Sequence, residues 1–268
     1  SQSGSTRSMP CRLNGMSLTA LLPSLDPALV TLICTIFLFA GVVKGFLGIG
    51  LPAAAMGLLT LVIPPTEAIS LLWLPILFTN IFQFGRAPAR RTIATSYIWF
   101  AVPLAASNFL TSLFINDYPT ALLTVAIGCA MVIFSLNLLF GVTVPIGPGP
   151  VWQGAFGVVA GVLGGLSSIW SPPVAMYLIA RDTPKERFIG AAGFLFLAGC
   201  VPLGIGLVMS GLITWGVIIK SSIGLATTLI GIRVGEVLRE RVSQNRFRQI
   251  VLVAFLLMGM RLIAVGLL

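Results

Sequence analysis

The chain has 268 residues, of which 57% are hydrophobic and only 9% charged, with a formal charge of +9 and no histidine. So little charge cannot cover the chain with a water-facing surface, which excludes a soluble globular domain. The missing histidine excludes a histidine-ligated haem, a Ser/His nucleophile pair and a zinc-protease motif, and Cys11, Cys34, Cys129 and Cys200 show no metal spacing.

Residues 1–27 read as an N-terminal tail. The chain opens without methionine, so its first residues are read as partly an addition, with Met9 and Met16 as alternative starts. The first repeat, 28–144, begins with an apolar run from Ala28 to Ile63. The run is interrupted by GVVKGFLGIGLP at Gly41–Pro52 and closed by Pro64-Pro65. It is too long for one span of ~20 residues and short for two. Spans follow at Ala68–Phe84, Tyr97–Ile115 and Pro119–Phe140, with a basic loop at Arg86–Arg91. The stretch 145–150 (PIGPGP) is a linker. The second repeat, 151–268, opens with Val151–Ala180, broken by GVVAGVLGGLSSIWSPP. A charged loop at Arg181–Arg187 leads to spans at Phe188–Met209 and Trp215–Ile232. A charged connection, Arg233–Arg248, precedes the last span at Ile250–Leu268. The runs are continuous, without the period of two that a barrel strand needs, so the expected fold is an all-α polytopic membrane protein.

The two broken segments are copies of each other. Set on Gly157, Gly41 brings Val42, Val43, Gly45, Leu47 and Gly48 onto Val158, Val159, Gly161, Leu163 and Gly164. After four extra residues, Pro52-Ala-Ala-Ala-Met lies over Pro172-Pro-Val-Ala-Met. The chain thus reads as two homologous halves, each a Gly/Pro-broken hairpin followed by three transmembrane helices.

Charge sets the expected orientation. If each broken segment crossed once, basic residues would fall 5 against 8 on the two faces. If each goes in and returns, the halves are inverted, and 11 basic residues share one face while only Arg7 and Arg12 lie on the other. That bias is what the positive-inside rule requires. The expectation is an inverted repeat in the cell inner membrane, with the basic loops cytoplasmic and both termini outside the cytoplasm.

The paired motifs GVVKGFLGIGLP and GVVAGVLGGLSS, with the duplication and the basic connection before the last span, resemble the sulfite exporter TauE/SafE family, also described as 4-toluenesulfonate uptake permeases. The resemblance covers roughly Ala28 to Leu268. It implies transport of small sulfur-containing anions such as sulfite, sulfoacetate and other organosulfonates, not an enzyme and without a cofactor. The sequence departs from the pattern at Lys44, at Leu51-Pro52 and in the insertion carrying Ser167-Ser168-Ile169-Trp170.

Paired breaks in the two halves of a membrane protein point to a transport site. Exposed backbone at membrane depth is tolerated only against protein or a water-filled cavity, and short helices starting at Pro52 and Pro172 would aim their N-termini at an anion. The candidate substrate-binding residues are Lys44, Gly48, Gly50, Gly164, Gly165, Ser167, Ser168, Trp170 and Arg261. Several have a plainer alternative. The glycines could serve helix packing, as the spacing of Gly41/Gly45 and Gly157/Gly161 suggests. Lys44 could snorkel to an interface. Arg261 could bind backbone carbonyls, and Lys220 is a weaker candidate of the same kind. Asn80, Gln83 and Asn108 read as interhelical hydrogen-bonding residues.

All seven acids lie in loops or at span margins, and only Glu67 is near a break as a proton-relay candidate. Export down a negative-inside potential needs no relay, so the expected direction is export by alternating access. An ion-coupled sulfonate importer and an anion channel are the alternatives. The expected partners are a small anionic substrate and the lipid bilayer, with a homodimer as an allowed assembly. Nucleic acid is not expected despite the positive charge, because the basic residues sit in short loops.

Overall fold

The apolar runs fold as helices in the computed structural model of the chain, which describes residues 27–141, 146–147 and 149–268. Most of the expected tail and part of the linker lie outside the described residues. In chain order the helices are α1 (Pro27–Leu47), α2 (Leu51–Leu59), α3 (Pro65–Gly85), α4 (Arg90–Ser96), α5 (Ile98–Leu113), α6 (Thr120–Phe140), α7 (Pro150–Ser167), α8 (Ser171–Ala180), α9 (Lys185–Met209), α10 (Trp215–Arg241) and α11 (Gln244–Leu267). No strand occurs among the described residues. Seven of the helices are long and apolar enough to cross a membrane, and α4 with α5, bent by 69°, pass that test together. Their outward faces carry exposed Trp99, Val102, Leu110, Val159, Ile205 and Val253. So much exposed apolar surface suits lipid rather than water. The chain is a multi-pass membrane protein.

Two stretches differ from the expected plan. The basic residues after Arg86 are not all loop, because Arg90–Ser96 forms α4. Buried Ile93 anchors this short helix, while Arg90 and Arg91 stay exposed. The connection Arg233–Arg248 is mostly helical as well. Its Arg, Glu, Leu and Val residues continue α10 to Arg241, and only Val242 and Ser243 separate α10 from α11.

One proline inside a span is absorbed by a neighbouring helix. Pro75 in α3 removes the amide that would bond the Leu71 carbonyl, and Ser221 of α10 donates its hydroxyl to that carbonyl at 2.6 Å.

Close helix contact is built on small residues. A Cβ on Gly41 would collide with the Thr228 carbonyl, and one on Gly45 with the Ile232 carbonyl. Later residues of α1 meet later residues of α10, so these two helices run parallel. The α7–α5 pair repeats the arrangement, with Gly157 against the Phe100 carbonyl and Gly161 against the Leu104 carbonyl. In these four positions the glycines serve packing, where backbones approach without a hydrophobic driving force. The α6–α11 pair is antiparallel: Gly266 lies by Val125, Gly259 by Gly128, and Phe255 by Phe134. The α3–α9 pair is antiparallel too, with Gly204 against Trp73 and Gly193 against Gln83.

Polar contacts mark the two ends of the bundle. At one end Lys220 Nζ meets Glu67 Oε1 at 3.2 Å, and Asn116 donates to the Ser210 carbonyl at 2.9 Å. At the other end Arg187 and Gln153 both reach Ser96, and Arg248 donates to the Leu138 carbonyl at 2.9 Å. The second end carries the basic segments.

Candidate anion site at the helix breaks

Glycine conformation makes the first break. The α1 helix ends at Leu47, and Gly48 and Gly50 take φ of 81° and 97°, a left-handed region closed to most side chains. Pro52 then sits in the first turn of α2. The second break repeats this with different chemistry. The α7 helix ends at Ser167, Ser168 has φ 59°, and α8 starts at Ser171 with Pro172 and Pro173 behind it. By position relative to the helix ends, Ser168 corresponds to Gly48 and Ile169 to Ile49. The four extra residues seen in sequence therefore extend α7 by about one turn before the break. A serine held left-handed is strained by roughly 1–2 kcal/mol relative to glycine, and such strain gathers at functional positions.

Lys44 lies in the last turn of α1, one turn before the first break. Its side chain is turned inward: the residue is 7% exposed, and Nζ donates to Thr79 Oγ1 at 3.0 Å and to Asn80 Oδ1 at 2.7 Å, both on α3. These bonds hold the ammonium inside rather than letting it snorkel. The two ion pairs among the described residues are Lys220–Glu67 and Arg233–Glu236, so no carboxylate neutralises Lys44. An ammonium has three N–H donors, and two are engaged by α3. Lys44 lines a cavity of about 820 Å³ whose walls include Gly48, Thr79 and Gln83, with Arg86, Arg233, Arg239, Glu236 and Glu240 toward one end. These charged residues, at the ends of α3 and α10, place its mouth at the end of the bundle that carries the basic segments.

The second break carries a separate polar cluster. Ser168 Oγ, Trp170 Nε1 and Ser171 Oγ are buried and have no hydrogen-bond partner. Asn108 Nδ2 donates to the Gly199 carbonyl at 2.9 Å, while its Oδ1 has no partner. Unpaired polar groups in a protein interior are costly, by about 1–3 kcal/mol each, and call for an explanation such as a ligand or water. Pro172 and Pro173 remove two amide donors from the first turn of α8. The unpaired side-chain donors at this break are two hydroxyls and an indole. The α9 helix touches both regions, since Ile189 lines the Lys44 cavity and Gly199 lies against Trp170.

The model of the family described as sulfite exporter TauE/SafE matches residues 33–262. The chain belongs to the TauE/SafE family. No curated protein and no solved structure matches it. The TauE/SafE match takes in both breaks, Lys44, the Ser168–Ser171 cluster and Arg261, and it makes the chain a membrane transport protein.

Within this TauE/SafE chain the candidate residues are distributed unevenly. Lys44 and Gly48 share the cavity, while Gly50 packs near Val43, Phe134 and Phe255 instead of lining it. Ser168 and Trp170 belong to the buried cluster. Ser167 is occupied by backbone, donating to the Leu163 carbonyl at 2.6 Å and accepting from Ile169 N at 3.1 Å. A Cβ on Gly164 would collide with the Trp170 indole, so this glycine makes room for the indole, and Gly165 packs on Thr111. Arg261 is exposed on α11 and is not among the cavity's lining residues. Gln83 and Asn108 make the interhelical bonds expected of them. Sequence reasoning flagged Asn80 but did not pair it with Lys44, and it missed Thr79, Ser171, Arg86 and Arg233. An asparagine within a span was the available signal for the first. Nothing in the order of residues joins α3 to the end of α1.

Proposed function

We propose that this TauE/SafE protein exports small sulfur-containing anions, sulfite or an organosulfonate such as sulfoacetate, by alternating access at a site between the two broken segments. The observation that carries the reading is Lys44: a buried ammonium with no carboxylate in an ion pair with it, next to a helix break, in the wall of a cavity lined further out by three arginines and two glutamates. A cation within a span costs about 2.5–3.5 kcal/mol on insertion scales and marks a functional position by default.

The basic end is the cytoplasmic face by the positive-inside rule. An anion then enters from the cytoplasm, meets Arg86 and Arg239 at the mouth, where Arg233 is paired with Glu236, and reaches Lys44. As the halves move, it passes to the hydroxyls and indole of Ser168, Trp170 and Ser171. The inverted repeat is supported by direction. Helices α3 and α9 occupy equivalent positions in the two halves and run antiparallel, and so do α6 and α11. The hairpins α1–α2 and α7–α8 would then enter from opposite faces. A negative-inside potential drives the anion outward by about 2.3 kcal/mol per charge per 100 mV. Export on this scheme requires no proton relay.

The test is sulfite efflux from proteoliposomes under an imposed potential, with wild type and Lys44→Met compared. The expected result is a saturable flux that Lys44→Met lowers at least about tenfold, the loss of one charge-assisted bond of ~1.5–3 kcal/mol. Wild-type flux through a folded Lys44→Met protein would sink the reading. Flux of other anions without saturation would point to a channel.

A further inference from the structure

We infer that a pocket at the base of the second hairpin binds the phosphodiester headgroup of an anionic phospholipid. The pocket, of about 220 Å³, is walled by Ser96 and Tyr97 at the α4–α5 bend, by Tyr177 and Arg181 at the end of α8, and by Thr183 and Arg187 leading into α9. No carboxylate lines it. Neither arginine belongs to the ion pairs found among the described residues. Arg187 is held in place: Nη2 donates to Ser96 Oγ at 3.0 Å, and its guanidinium stands 6.0 Å from the centre of the Tyr97 ring. That leaves most of its N–H fork free. Two guanidinium forks flanked by hydroxyls match the acceptor oxygens of a phosphate, which arginine recognises in bidentate fashion.

The surroundings select a lipid over a free anion. Exposed Trp99 lies two residues beyond Tyr97, and exposed Val151 and Trp152 directly precede Gln153, which also lines the pocket. Tryptophans at this level are the membrane-interface signature. The exposed faces of α5 and α7 continue from them as Val102, Val158 and Val159, a path for acyl chains. Basic pockets between spans on the cytoplasmic side take anionic headgroups. This pocket shares no residue with the Lys44 cavity, so the inference stands independently of the transported anion. A headgroup here would join the end of α8 to α9 and to the α4–α5 bend, fixing the base of the hairpin.

The test uses the purified full chain in neutral detergent, melted with phosphatidylglycerol, phosphatidylcholine or inorganic phosphate, alongside native mass spectrometry of retained lipid. Phosphatidylglycerol at saturation is expected to raise Tm by roughly 5 °C or more, and phosphatidylcholine to have little effect. The double variant Arg181→Gln with Arg187→Gln should lose both the shift and the retained lipid. Arg246→Gln, an exposed cation at the same end, should keep both. The double Arg→Lys variant preserves charge but not the fork, and should show a reduced shift; this keeps the test readable if the glutamine variant folds poorly. Inorganic phosphate acting as strongly as phosphatidylglycerol would overturn the lipid source. Equal loss in Arg246→Gln would reduce the effect to diffuse charge and overturn the pocket.

Discussion

Asn80 and Ser168 bear on the site in opposite ways. Asn80 accepts a hydrogen bond from Lys44 without cancelling its charge. Asn80→Asp keeps the shape and the bond but supplies a carboxylate 2.7 Å from the ammonium. The folded protein should melt at or above the wild-type temperature, yet half-saturation for sulfite should rise about tenfold or more, because the cation is already paired. Unchanged half-saturation would remove Lys44 from the anion's path. Ser168 has the reverse signature. Glycine relieves the left-handed strain at this position, so Ser168→Gly should raise stability by up to about 1 kcal/mol. It also deletes a buried hydroxyl that has no protein partner. If the hydroxyl meets substrate, the variant is more stable and transports less. A stabilised variant with full flux would make Ser168 a feature of the turn alone.

At the scale of elements, much was legible because the signals are local. Continuous apolar runs, Gly/Pro interruptions and the register between copies mark the spans and both breaks without any tertiary information. What was not legible depends on partners distant in sequence. The GxxxG spacing of Gly41 and Gly45 fits packing and ligand approach equally well, and only the carbonyls of Thr228 and Ile232 decide for packing. Gly164 and Gly165 likewise answer to Trp170 and Thr111. The α4 helix was missed because its single buried side chain, Ile93, gives too short a pattern to separate helix from loop. These contacts predict a sharp contrast between two glycines. Gly45→Ala pushes a methyl into the α10 backbone, which cannot yield as a side chain could. It should cost about 1–3 kcal/mol and lower Tm and monodisperse yield in detergent. Gly85→Ala meets nothing within 4 Å and should leave both unchanged or slightly improved. Equal behaviour of the two variants would refute the close α1–α10 contact.

For the molecule as a whole, the cavity opens at the basic end, and the opposite end is fastened by polar contacts between helices. Glu67 on α3 pairs with Lys220 on α10, and Asn116 holds the Ser210 carbonyl. A carrier that alternates must part some of these when it releases its anion on that side. The Lys220–Glu67 pair is partly exposed, at 22% and 35%, so it contributes no more than about 1 kcal/mol. That is enough to shift a two-state equilibrium up to about fivefold, and too little to unfold the protein. Glu67→Gln should therefore leave Tm nearly unchanged. A single cysteine placed at Ser70, one turn along α3 and 1% exposed, should react several-fold faster with a membrane-impermeant thiol reagent added from outside. The native cysteines are removed in both backgrounds. Saturating sulfite should alter that rate, because the anion binds the two states with different affinity. An unaltered rate in Glu67→Gln, with and without sulfite, would mean that this end does not open and that the anion leaves by another route.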